Sequence, residues 1–143
     1  MHTGVRCTLA PMPAELEERF IGLPVDDYGD GLLVVHAKTH KARRRGLSRL
    51  DALAPELALH IPQCPAVHTF GMRFALDLIW LRTDGTVVRV DRNVVPRRMR
   101  FCASARSVVE TVAGQADAFL AAGVGDPKRP KVRDGRASEP PAA

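Results

Sequence analysis

The stretch from Leu76 to Arg92 constrains this chain more than any other. Leu76-Asp77-Leu78-Ile79-Trp80-Leu81-Arg82 is a nearly continuous apolar run. Thr83-Asp84-Gly85 then supplies turn chemistry, and Thr86-Val87-Val88-Arg89-Val90-Asp91-Arg92 returns. β-Branched and aromatic residues on either side of an Asp-Gly step read as a hairpin, with glycine taking the positive-φ position. Large apolar groups occupy both faces of the first strand, so it belongs at the centre of a sheet covered on both sides. Asp77, near its start, is the one residue that sits poorly in such an environment.

Shorter elements are arranged around this hairpin. Leu32–Ala37 is an apolar run bounded by Gly31 and reads as a strand. Thr39–Leu53 has a partly helical period. Gly46 weakens that helix or marks its end, and Pro55 stops it outright. Leu57–Ile61 reads as a second strand and Ser107–Val112 as another. Gln115–Ala122 reads as a short helix with Ala118, Phe119 and Ala122 inward, closed by Gly123. Residues 62–73 carry Pro62 and Pro65, each lacking a backbone donor, and are expected to be irregular, as is the basic connection Val94–Ser104. Ala14–Phe20 can form a short helix. These elements divide the chain into an irregular segment 1–29, a single domain over 30–126, and a tail 127–143 too polar to bury apolar surface. The expected fold class is α+β: a small β-rich domain whose mixed sheet is curled or barrel-like, with one or two short helices.

Composition narrows the function classes. No apolar run approaches the length of a membrane-spanning helix. The 143 residues carry a net charge of +5, but two of those charges belong to the tail from Asp126 onward. The remaining excess is mild, and aromatics make up only 5% of the chain. Single-strand nucleic-acid binding needs aromatics between clustered cations, so that role is expected to be weak at most. The three cysteines, Cys7, Cys64 and Cys102, include no CxxC pair, and their odd number fits a reducing compartment. The N-terminus lacks a basic-then-apolar export pattern. The expected location is the cytoplasm.

Chemistry-bearing residues concentrate between Ile61 and Asp77. His60, Cys64 and His68 are spaced by four, but two prolines forbid the helix that would align them. In a loop they could still converge on a metal, with Asp77 available as a fourth ligand, but no metal is expected. Cys64 and His68 are also candidates for a nucleophile and its base, with Asp77 to orient the base. Asp77 and Glu110 lie among Val, Leu and Ile, where a carboxylate must be paired or protonated. Arg43, Arg44, Arg45 and Arg73 are the candidate partners, and pairing predicts that Glu110→Gln destabilises the fold strongly. An arginine–carboxylate cluster is either architectural or the floor of an anion pocket.

Four blocks in this stretch and around it resemble one family. They are Ala42-Arg43-Arg44-Arg45-Gly46-Leu47; Val67 through Asp77; Trp80-Leu81 with Asp84-Gly85 and Val87-Val88; and Val109-Glu110 with Ala113-Gly114 and Gly123, Gly125 and Asp126. Together they are similar to the domain of unknown function 192 family, small bacterial and archaeal proteins, over roughly residues 30–126. The chain departs from that pattern at Ala75, where many members have proline. The resemblance implies a small β-rich α+β domain and a site in these blocks. It implies no reaction.

The leading functional expectation is a binding module for a small ligand or a protein partner, without cofactor, acting as a monomer or weak homodimer. Its site would be the loop Cys64–Met72, with Arg44, Arg45, Asp77 and Glu110 beneath. His68 and Thr69 would offer polar groups, and Phe70 and Met72 an apolar wall. The alternatives are an enzyme, metal-dependent or built on Cys64 and His68, and a weak nucleic-acid accessory protein.

Overall fold

The structure, a computed structural model, describes residues 18–128. The strands are β1 (Val25–Asp27), β2 (Leu33–His36), β3 (Leu57–Pro62), β4 (Ala66–His68), β5 (Leu76–Leu81), β6 (Val87–Val94), β7 (Met99–Phe101) and β8 (Ser107–Val112). Two short helices accompany them, α1 (His40–Arg45) and α2 (Ala116–Ala122). Residues 18–20 are helical, matching the end of the expected Ala14–Phe20 helix, the rest of which lies outside the described residues. So does nearly all of the polar tail.

Six strands form one mixed sheet in the order β1-β2-β3-β8-β5-β6, and β4 and β7 form a separate two-stranded ribbon. β1 and β6 are the edges of the sheet, so it curls without closing into a barrel. β5 is buried at all six positions, between β6 and β8, as its two-sided apolar pattern requires. β2 and β3 pair in parallel, the crossover between them running through α1; the other pairings among the described residues are antiparallel.

Strand alternation builds two cores, one on each face of the sheet. Leu47, Leu50 and Leu53, from the chain after α1, cover Leu59, Leu78, Trp80 and Val108 on one face. Phe119 and Ala116 of α2, with Val124, cover Val34, Ala58, Ile79 and Val109 on the other. No helix of the described residues is long and apolar enough to cross a membrane.

The elements differ from expectation where local chemistry outweighs periodicity. The 39–53 helix lasts one and a half turns. Thr39 caps its start by accepting from the Ala42 amide, and Gly46, at φ 48° and ψ −132°, ends it. In α2 the inward residues are Ala116 and Phe119, while Ala118 is exposed; the hydrophobic face is turned from the one read from sequence. The two stretches expected to be irregular, 62–73 and 94–104, pair with each other as β4 and β7. Neither looks like a strand alone, because each is three residues long and exposed on one side. Residues 25–27, also expected to be irregular, form edge strand β1.

Candidate functional site

Six of the eight candidate site residues line one cavity of about 360 Å³ on the α1 face of the sheet: Arg44, Arg45, Cys64, His68, Met72 and Glu110. α1 supplies the arginines. Three cations fill its last turn, where they also offset the negative end of the helix dipole. Arg43 beside them donates to the Gln63 side chain at 3.2 Å. Ile61 of β3 and Leu47 form an apolar wall. His68 stands at the mouth, exposed, its ring 5.9 Å from that of Phe70.

Glu110 is the polar group set deepest in the cavity. On β8 it lies between Leu59 of β3 and Leu78 of β5, and its residue surface is 4% exposed. A side chain on Gly46 would meet its Oε2 at 3.9 Å, so the carboxyl abuts the end of α1. No arginine, lysine or histidine of the described residues lies within ion-pair distance of it. Desolvation pushes its pKa from 4.5 up to about 7. Of the two routes open to a buried carboxylate, pairing with arginine is not found among the described residues, and desolvation shifts the balance toward the protonated form.

Cys64 donates its thiol hydrogen to the Ala66 carbonyl at 3.0 Å. Burial raises its pKa above the ordinary thiol value, and the hydrogen bond to Ala66 and the nearby Arg43 only partly oppose this. No hydrogen bond joins Cys64 to His68 among the described residues, so the thiol has neither a low pKa nor a positioned base.

The other two candidates lie outside the cavity. Asp77 is 1% exposed and meets no arginine of the described residues; its oxygens accept from the backbone amides of Asn93 at 2.9 Å, Gly114 at 3.0 Å and Ala116 at 3.2 Å. It thereby ties β5 to the end of β6 and to the start of α2. Arg73, its nearest candidate partner in sequence, pairs instead with Asp51 at the surface. Thr69 is fully buried; its hydroxyl donates to the Val95 carbonyl at 2.8 Å and accepts from the Arg98 amide at 2.8 Å. It fastens the β4–β7 ribbon, whose strand β4 forms one wall of the cavity.

The four-residue spacing of His60, Cys64 and His68 produces no cluster. His60 lies on β3, facing the opposite side of the sheet from the cavity that holds the other two. No three His, Cys, Asp or Glu side chains among the described residues are placed to share a metal ion. His60 instead meets His36, and His36 meets Asp26. Sequence reasoning missed that grouping. Its trace is a polar residue at the end of each apolar strand run, Val34-Val35-His36 and Leu57-Ala58-Leu59-His60, which parallel pairing sets side by side.

No curated protein matches the chain. Two solved structures are similar in fold. One is a protein from Sinorhizobium meliloti 1021 provisionally described as a transcription regulator, at 20% identity, covering 68% of this chain and 84% of that one, with a TM-score of 0.56. The other is a protein of unknown function from Novosphingobium aromaticivorans DSM 12444, at 17% identity, covering 78% and 94%, with a TM-score of 0.54. At these identities the likeness concerns the fold alone. The family profile for domain of unknown function 192, described as Uncharacterized ACR, matches residues 25–126, spanning β1 to the turn after α2 and taking in both the cavity wall and the Asp77 tie, and the chain belongs to that family.

Proposed function

We propose that this chain is a binding module for a small anionic molecule, held in the cavity between α1 and β8. The observation that carries this reading is the charge arrangement. Arg43, Arg44 and Arg45 border a cavity in which no carboxylate of the described residues pairs with them, and burial raises the pKa of the one acid present, Glu110, to about 7, within reach of protonation. A guanidinium fork suits carboxylate or phosphate. A protonated Glu110 would donate a hydrogen bond to the same anion, and Met72, Ile61 and Leu47 would face its apolar part. A bound anion favours the protonated carboxyl, so binding takes up a proton and is tighter at pH 6 than at pH 8. Thiol catalysis is disfavoured by the raised pKa of Cys64 and by its hydrogen bond to Ala66 in place of one to His68.

The test is a thermal-shift screen of the full chain against small monocarboxylates, dicarboxylates and phosphate monoesters at pH 6 and pH 8. A ligand present at 100 times its Kd adds about 2.7 kcal/mol to stability. The expected hit raises Tm more at pH 6 and does so less in Arg44→Ala and Arg45→Ala. Hits of equal size in wild type and in the Arg44→Ala/Arg45→Ala double variant would overturn the reading.

A further inference from the structure

A second cavity, of about 430 Å³, opens on the other face of the sheet. Its chemistry is the reverse of the first. Asp26, Asp84 and Asp126 are on its walls, and no lysine or arginine of the described residues lines it, although the chain as a whole is basic. His36 and His60 also face it. Three adjacent strands create this grouping: Asp26 on β1, His36 on β2 and His60 on β3. The parallel register sets His36 directly beside His60.

The contacts among the three are specific. His36 Nε2 lies 2.7 Å from Asp26 Oδ2, and the two Nδ1 atoms of His36 and His60 lie 2.9 Å apart. The rings meet edge to face, with centroids 5.0 Å apart. In a neutral His36 that donates its Nε2 hydrogen to Asp26, Nδ1 carries a lone pair. One hydrogen between the two Nδ1 atoms then holds the rings together. Two imidazole nitrogens are thus held against each other across one hydrogen bond, one of them backed by a carboxylate on its far nitrogen. That is the arrangement by which proteins fix the tautomer of a metal-ligating histidine.

We infer that His36 Nδ1 and His60 Nδ1 form a binding site for a divalent transition-metal ion, with Asp26 as a positioning residue. The ion displaces the hydrogen between the rings, which part by a few tenths of an ångström because zinc–nitrogen bonds are about 2.0–2.1 Å, and neutral His60 then carries its proton on Nε2. Imidazole ligands favour copper, nickel and zinc over magnesium or calcium. Because no third His, Cys, Asp or Glu side chain of the described residues converges with the pair, the remaining coordination positions belong to water or to an added ligand in the cavity. The acidic walls draw a cation in.

The test uses Zn2+ alone, on the full chain with uniformly 15N-labelled histidine. One equivalent of Zn2+ is expected to move the ring-nitrogen signals of two of the five imidazoles, those absent from the spectra of His36→Ala and His60→Ala. Calorimetry is expected to show at least tenfold weaker binding in either variant, unchanged binding in His2→Ala and His40→Ala, and binding about 10–100-fold weaker in Asp26→Asn. Zn2+ that moves other imidazoles, binds the His36→Ala/His60→Ala double variant as tightly as wild type, or fails to bind, overturns the inference. Should the alanine variants not fold, the wild-type spectrum decides, through nuclear Overhauser contacts from the shifted rings to neighbouring side chains. Val34 and Val109 on the walls of this cavity support the site, and Phe70 beside His68 refutes it.

Discussion

Replacing Glu110 with glutamine removes the ionisable group and leaves a neutral side chain of nearly the same shape. Its consequence depends on pH in a way the structure fixes. The folded-state pKa, about 7, lies above the ordinary value of 4.5, so the native state takes up the proton first. Between these two values the native chain holds more protons than the unfolded chain, and stability therefore falls as pH rises through that window. A tenfold change in proton affinity is worth about 1.4 kcal/mol, which makes the loss contributed by Glu110 about 3 kcal/mol, absent below pH 4.5 and complete above pH 7. Glutamine carries no such loss. Glu110→Gln should match wild type near pH 4.5 and exceed it by about 3 kcal/mol at pH 8. Other carboxylates titrate in both proteins and cancel in the difference. Trp80, the single tryptophan and fully buried, reports unfolding by fluorescence. With urea m-values of roughly 1–3 kcal/mol/M, the gap at pH 8 appears as a midpoint shift of about 1–3 M. A difference that stays constant from pH 5 to pH 8, or a glutamine variant less stable than wild type at pH 8, would refute the reasoning. Either would mean that the carboxylate is ionised and paired.

Three further outcomes are expected. Asp77→Asn should destabilise the fold by about 2–4 kcal/mol in urea titration, because an amide cannot accept from all three backbone N–H groups that Asp77 satisfies. Thr69→Val should cost about 1–3 kcal/mol and speed amide exchange of Arg98, which loses its acceptor. Cys64, its thiol pKa raised by burial, should alkylate with iodoacetamide at pH 7 more slowly than a free cysteine, and peptide mapping by mass spectrometry reads the difference.

How much of the molecule is legible in its sequence varies with how local the determining signal is. The β5–β6 hairpin is visible because alternation, Asp84-Gly85 and apolar density all lie within one short stretch. The residues that gather at the α1 cavity, Arg44, Arg45, Cys64, His68, Met72 and Glu110, stand out by their chemistry. Their partners do not. Charge alone assigns Asp77 an arginine, yet backbone amides satisfy it, and such donors leave no trace in residue identity. Residue type leaves Glu110 open between pairing and protonation; its desolvated place between Leu59 and Leu78, out of ion-pair reach of the described arginines, favours the second. The β4–β7 ribbon is hidden because its strands are three residues long and far apart in the chain, pairing Ala66 with Phe101 and His68 with Met99. His36 and His60 are separate features until a parallel register joins them.

The sheet order also dictates how the molecule assembles. β1, β2 and β3 come from the first half of the described chain, and β5, β6 and β8 from the second. The junction between these halves within the sheet is β3 against β8, where Leu59 meets Glu110. Until β8 has been synthesised and docked, β3 and β5 both present open edges, the kind of surface on which chains aggregate. Closing such a distant pairing is slow compared with forming the β5–β6 hairpin. Both cavities straddle that junction. Ile61 and Glu110 face one, His60 and Val109 the other. Neither cavity therefore exists in a half-folded chain, and a nascent protein acquires both at the same step that removes its exposed edges.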